Sequence, residues 1–174
     1  MRVDFNVPLK SAVSGALEVS DPKRIEATIP TIDFCLKNGA KSVTLMSHLG
    51  RPNGQRQDKF SMAPVVPALE DLLKQKVSFL SDCIGSNVQK HCAAADKGKV
   101  TLLENVRFHM AEEGKGVNAQ GEKVKAEKAD IELFRSELTS MADLYVNDAF
   151  GTSHRAHSSM VGVDVPVRAA GFLL

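Results

Sequence analysis

A three-layer α/β/α, Rossmann-like domain with a mainly parallel sheet is predicted by two features of the 174-residue chain: short apolar runs recur along it, and amphipathic helical patterns fall between them. Apolar runs without strict alternation suit strands covered on both faces, as in a parallel sheet. Helices between such strands make βαβ units with right-handed crossovers, so helices cover both sides of the sheet. The length suits one domain with a full hydrophobic core and leaves little room for a second.

Strands are expected over residues 2–7 (RVDFNV), 41–46 (KSVTLM), 76–80 (KVSFL), 99–106 (KVTLLENV) and 143–147 (DLYVN). The first helix is marked by Ile25, Ile29, Ile32 and Leu36, which share one helical face; Pro30 lies inside the pattern and is expected to kink or shorten it. Ser61 is the expected N-cap of a helix carrying Val65, Leu69, Leu72 and Leu73, with Pro64 in its first turn. A weaker helical pattern covers Gly85 to Ala95. Ile131, Phe134, Leu138 and Met141 mark the face of a further helix. The charged stretch 111–132 reads as an exposed loop running into a solvated helix face.

Composition excludes several classes of function. The 22 basic residues nearly cancel 21 acidic ones, which argues against a generic nucleic-acid or membrane-surface binder. One tyrosine and no tryptophan leave little for base stacking. Cys35, Cys83 and Cys92 are odd in number and form no CxxC pair, so neither a disulfide framework nor a zinc site is suggested, and a reduced, cytoplasmic compartment is expected. No apolar stretch approaches the roughly 18 residues that span a bilayer, and the N-terminus lacks the pattern of a signal peptide. A monomer is expected. Neither G-x-x-x-x-G-K-[ST] nor a strand followed by G-x-G-x-x-G occurs.

In open α/β sheets ligands bind at the carboxyl ends of the strands, where loops and helix N-termini gather. The residues at those ends are Asp4 and Asn6, His48 and Arg51 in MSHLGRP, Arg107 in LLENVRFH, and Asn147, Asp148, His154 and Arg155 in YVNDAFGTSHRAHSS. Arg24 opens the helix after the first strand, so four of the eight arginines converge on one sheet edge. Like charges would repel in an empty pocket; a multiply charged anion reconciles them. Arginine suits that task because its planar fork makes two parallel N–H bonds to a phosphate or carboxylate and stays protonated. With Asp4 and Asn6 to meet a hydroxyl, such a site fits a small phosphorylated hydroxy acid. Asp148 reads as a brace for its own loop. His154 and His157 have the spacing of some metal pairs, but no cysteine or carboxylate cluster completes four ligands, so no metal is assigned. His91 and His109 receive no role.

The segments MRVDFNVP, AKSVTLMSHLGRP, LLENVRFH and YVNDAFGTSHRAHSSMVG, in that order across nearly the whole chain, closely resemble the phosphoglycerate kinase family, specifically its N-terminal, 3-phosphoglycerate-binding half. The resemblance implies reversible phosphoryl transfer between 1,3-bisphosphoglycerate and ADP in glycolysis and gluconeogenesis. It makes residues 1–174 one acceptor-substrate domain, without the family's first N-terminal segment and C-terminal nucleotide-binding domain. Mg-ADP or Mg-ATP would be held by that second domain and no cofactor by this chain, which alone is expected to bind the acid without transferring phosphate. The resemblance places Arg51, Arg107 and Arg155 around the 3-phosphate with His48 and His154 nearby. Asp4 and Asn6, with the backbone of Val3 and Phe5, hold the hydroxy acid. Arg24 is the catalytic arginine, and Lys23, Ser47, Gly50 and Val106 line the same loops. Loop 9–23, between Asn6 and Arg24, is longer than the family leads one to expect. The residues alone also allow a stand-alone, non-catalytic module for phospho-metabolites.

Overall fold

The structure, a computed structural model, describes residues 1–174. The strands are β1 (Arg2–Val3), β2 (Leu9–Ser11), β3 (Leu17–Val19), β4 (Ser42–Leu45), β5 (Val77–Leu80), β6 (Lys99–Leu103), β7 (Lys115–Val117), β8 (Lys123–Lys125), β9 (Leu144–Asp148) and β10 (Val167–Ala170). The helices are α1 (Lys23–Lys37), α2 (Val66–Leu73), α3 (Ser86–Ala94), α4 (Met110–Glu113), α5 (Lys128–Thr139) and α6 (Ser158–Val161).

Two parallel three-stranded sheets, β10-β9-β1 and β4-β6-β5, meet at a single parallel bridge, Arg2 to Met46. The Val3 N–H donates to Met46 O and the Met46 N–H to Met1 O, both at 3.0 Å. The six parallel strands therefore run in the order β10-β9-β1-β4-β6-β5. The connection β1-α1-β4 moves one way across the sheet and β9-α6-β10 the other, so the sense of winding reverses beside β1, where an open α/β sheet forms its ligand crevice. β2-β3 and β7-β8 are separate antiparallel hairpins.

Alternation along the strands builds a core on each face of the sheet. Val43, Leu45, Val77, Val100 and Leu102 pack with Ile25 and Ile32 of α1 and Leu69 of α2, while Leu103 and Tyr145 pack with Val88 of α3 and Phe134 and Leu138 of α5. Fully burying a side chain such as Ile25 or Leu69 stabilises the fold by about 1.5–3 kcal/mol. The three-layer, mainly parallel architecture expected from the sequence is the one observed.

Several boundaries differ from the sequence expectation. The strand expected over 2–7 is only Arg2–Val3, because the chain leaves the sheet at Asp4 and the Phe5 N–H turns to Ser47 Oγ (2.9 Å). The strand expected over 99–106 stops at Leu103, where Glu104 and Asn105 begin a 3₁₀ turn, Val106–Phe108. Pro30 does not shorten α1, which runs on for 15 residues. Pro30 and Glu26 are both exposed, so the carbonyl deprived of its N–H partner faces water. Ser61 is not a helix N-cap: its Oγ accepts from the Ala63 N–H (3.2 Å), but Met62 precedes a 3₁₀ turn, Ala63–Val65 holding Pro64, without a side-chain cap bond, and the α-helix starts at Val66. Within the stretch read as a loop, α4 and the β7-β8 hairpin form; the hairpin is fastened where Gln55 Nε2 donates to the carbonyls of Val117 (3.2 Å) and Asn118 (3.0 Å). Loop 9–23 contains the β2-β3 hairpin. No helix is long and apolar enough to cross a membrane.

Candidate active site

At the carboxyl ends of β1, β4, β6 and β9 lies a cleft of about 230 Å³ with no hydrophobic residue in its wall. Asp4 and Asn6 come from the loop after β1, Arg24 from the first turn of α1, and His48, Gly50 and Arg51 from the loop after β4. Arg107 comes from the turn after β6, and Gly151, Thr152 and Arg155 from the loop after β9. Four guanidiniums thus face one carboxylate, Asp4.

Gly50 ties three of these loops together. Its N–H donates to Asn6 Oδ1 (2.8 Å) and its carbonyl accepts from Arg107 Nη1 (3.0 Å). With φ at +62° and a Cβ position 2.4 Å from the Phe60 ring, only glycine fits there without strain. Asn105 sets the height of Arg107. Its Oδ1 accepts from the Arg107 N–H (3.1 Å) and its Nδ2 donates to the carbonyls of Leu49 (2.7 Å) and Phe60 (2.9 Å). Behind it, the buried Glu104 carboxylate accepts from the Met62 N–H (2.7 Å), the Asn105 N–H (2.9 Å) and Ser61 Oγ (2.8 Å). Gly151 lets the loop after β9 approach Asp4, since a Cβ there would lie 2.6 Å from Asp4 Oδ2.

Charge in the cleft is unevenly compensated. Arg24 Nη1 donates to Asp4 Oδ2 at 2.6 Å, and the buried Arg107 has Glu113 Oε1 3.6 Å from its Nε, which makes no hydrogen bond. Burial pulls Arg107 below the usual arginine range, opposed by Glu113. Arg51 and Arg155 are exposed and have no carboxylate within ion-pairing distance. His48 is buried and pushed down to about 2, first by loss of solvent and then by the guanidiniums of Arg2 and Arg107, so its ring is neutral at physiological pH. His157, 3.8 Å from Glu112 and 3.6 Å from Glu113, is pushed down to about 4, because burial and the charges of Arg107 and Arg155 outweigh those carboxylates.

Of the residues singled out from the sequence, Asp4, Asn6, Arg24, His48, Gly50, Arg51, Arg107 and Arg155 converge on this cleft. Val3, Phe5 and Val106 are fully buried, and their N–H groups are already bonded to Met46 O, Ser47 Oγ and Ser47 O. Ser47 is likewise buried beneath the site. Lys23 is exposed, 3.9 Å from Asp21, and His154 is exposed; neither lines the cleft. Gly151, Thr152 and Asn105 were not anticipated, although GTSHR directly follows the strand end and LLENVRFH contains the asparagine. Asp148, read from the sequence as a brace for its own loop, instead ties two distant segments: its Oδ1 accepts from Thr31 Oγ1 of α1 (3.1 Å) and from the Leu173 N–H (3.1 Å). Away from the cleft, Asp82, Cys83 and His109 gather within 4.8 Å, with His109 Nε2 and Asp82 Oδ1 bonded at 2.8 Å.

A family model described as phosphoglycerate kinase matches residues 1–174. The chain belongs to the phosphoglycerate kinase family. The phosphoglycerate kinase of Sterkiella nova is 64% identical over 174 residues, covering 100% of this chain and 40% of that protein. Phosphoglycerate kinase 1 of Homo sapiens is 58% identical over 175 residues, with 100% and 41% covered. The crystal structure of the phosphoglycerate kinase of Pyrococcus horikoshii OT3 superposes with a TM-score of 0.77 at 31% identity, over 99% of this chain and 39% of that one. The chain thus spans about two fifths of the length of the curated phosphoglycerate kinases it matches.

Proposed function

We propose that this chain is the acceptor-substrate domain of a phosphoglycerate kinase, holding 3-phosphoglycerate or 1,3-bisphosphoglycerate during reversible phosphoryl exchange with ADP or ATP in cytoplasmic glycolysis and gluconeogenesis. The observation that carries this reading is the wholly polar cleft in which arginines from helix α1 and three separate strand-end loops surround Asp4 and Asn6. Arg51, Arg107 and Arg155 hold the 3-phosphate, with His48 donating a further bond and His154 nearby. Asp4 and Asn6 meet the hydroxy acid, with Val3, Phe5, Ser47 and Val106 buried beneath them as support, while Lys23 and Gly50 shape the surrounding loops.

Arg24 is the catalytic group. In the direction of ATP consumption the substrate carboxylate attacks the γ-phosphorus, a new carboxyl O–P bond forms, and ADP departs with the electrons of the broken bond. The carboxylate is already ionised at neutral pH, so no general base is required. The remaining need is alignment and relief of negative charge on the moving group, which the Arg24 guanidinium supplies. A magnesium ion does not suit this cleft, whose donors are guanidiniums and whose one carboxylate is taken by Arg24. Mg-nucleotide therefore belongs to a C-terminal nucleotide-binding domain, and closure of the two halves, each enzyme acting as a monomer, brings the reactants together. By itself the chain binds the acid and transfers nothing.

Calorimetric titration of this chain with 3-phosphoglycerate tests the reading, with glycerate and inorganic phosphate as controls and an Arg51→Ala, Arg155→Ala double variant as blank. Saturable binding that needs both ends of the ligand and disappears in the blank is expected. A folded sample that binds all three compounds alike, or none, overturns the assignment of the site.

A further inference from the structure

We propose that Arg2 is a positioning residue that fixes His48 as a neutral Nε2–H donor toward the bound anion, through a buried chain running Glu112–Ser159–Arg2–His48. The identity of the anion rests on the function proposed above; the state of the histidine does not.

Arg2 is fully buried beneath the cleft and lines none of it. Its Nη2 lies 3.0 Å from His48 Nδ1, its Nε donates to Ser159 Oγ at 2.9 Å, and its Nη1 donates to Val3 O. The Ser159 hydroxyl in turn donates to Glu112 Oε1 (2.6 Å), while the Ser159 N–H donates to Glu112 Oε2 (2.8 Å). A guanidinium has donors only, so His48 Nδ1 must offer its lone pair and the ring proton must sit on Nε2. The same contact forbids the doubly protonated ring, which would set N–H against N–H.

The consequence is chemical. With the proton on Nε2, His48 can give an N–H to a phosphate oxygen in the cleft; the other tautomer would set a lone pair against that oxygen. The ring also adds no charge to a crowded neighbourhood. The groups that act on it are Arg2 from β1, Arg24 from α1, Arg107 from the turn after β6, and His157 from the segment before α6. Glu112 serves at the far end of the chain, compensating the buried Arg2 through Ser159 instead of by direct contact.

Two-bond ¹H–¹⁵N correlation of the histidine rings in the ligand-free chain, with His48 assigned through His48→Gln, reads the tautomer directly. The expected result is an unprotonated Nδ1 and protonated Nε2 that do not change between pH 8 and pH 5.5. A proton on Nδ1, or an ordinary histidine titration, overturns the proposal. In Arg2→Met, and in Arg2→Gln, whose amide can either give or accept a bond, should the first variant not fold, mixed tautomers are expected; an unchanged spectrum in a folded variant removes Arg2 from the role. Titration with 3-phosphoglycerate supplies the second arm. His48→Asn should weaken binding by about 10- to 100-fold, the loss of one bond to a charged group, and His48→Gln, whose amide nitrogen falls near the Nε2 position, should recover most of it. Equal loss in both variants would mean that His48 does not act as a neutral donor. Absence of binding in the wild-type chain would instead count against the proposed function, with the tautomer still decided by the spectra.

Discussion

Arg24 Nη1 lies 2.6 Å from Asp4 Oδ2, so the exposed arginine that opens α1 is tethered to the loop following β1. The pair gives a mobile side chain a fixed direction over the cleft. An exposed ion pair of this kind contributes within about 1 kcal/mol to stability, so the interest of Arg24 lies in chemistry. In a full-length enzyme carrying this sequence, Arg24→Ala should lower turnover by about 10²-fold or more, by analogy with loss of one oxyanion donor, with a much smaller change in substrate affinity. Steady-state kinetics and a denaturation curve together check both halves of the statement. Turnover close to normal would remove Arg24 from the transfer step.

Gly50 should not tolerate alanine. Forcing an alanine into the left-handed region costs roughly 1–2 kcal/mol, and the Cβ would also meet the Phe60 ring at 2.4 Å. Urea unfolding should show a loss of at least that size. Because Asn6 and Arg107 both bond to the Gly50 backbone, anion affinity should fall as well.

Asp148 holds Thr31 of α1 and the Leu173 N–H together, and its Oδ2 is buried without a partner. Asp148→Ala should destabilise the fold by about 1–3 kcal/mol for each bonded group left unsatisfied. Hydrogen exchange at the Leu173 amide should rise far more than at Val100 in the middle of β6. Equal protection at both sites in the variant would show that the carboxylate does not restrain the 171–174 segment.

The acid limb of the stability curve should carry the signature of His48. Its folded value is depressed to about 2, so below the ordinary histidine value of about 6.5 the unfolded chain binds one more proton than the folded one. That proton difference makes stability fall by about 1.4 kcal/mol per pH unit as pH is lowered through this range. Glu112 and Asp148, raised by burial, act in the opposite sense at lower pH, so the wild-type slope alone is not diagnostic. The slope between pH 6 and pH 5 should be shallower in His48→Gln by about that amount. Parallel slopes would mean that His48 is protonated in the folded protein.

Much of the site was readable because its residues sit directly after apolar runs: Asp4, His48, Arg51, Arg107 and Arg155 each follow a strand, and parallel topology brings such ends together. Arg2 was not readable as a support. Its partners His48 and Ser159 lie 46 and 157 residues away, and an arginine inside RVDFNV carries no sign that it will be fully buried. β10 escaped notice because all four of its residues are exposed, so no burial pattern marks it, and only pairing with β9 defines it. The β7-β8 hairpin was hidden for a related reason: Lys115, Lys123 and Lys125 look like a solvated charge run until Gln55 and Asn53 provide the backbone partners. Val3, Phe5 and Val106 show the reverse error, since proximity to motif residues does not distinguish a wall of the cleft from the packing beneath it.

The pairing of Arg2 with Asn147 bears on how the protein is made. Strands β4, β6 and β5 draw on residues 42–103 and can pair while the chain is still short, whereas Arg2 must wait for Asn147, its register partner in β9. At ribosomal rates of about 5–20 residues per second that wait is on the order of ten seconds. Throughout it, the flank of β1 that β9 will cover is an open strand edge, the feature most prone to pairing with another chain. Adding β9 and β10 to β1 is therefore a late step for the nascent protein, and the interval before it is when a chaperone would matter most.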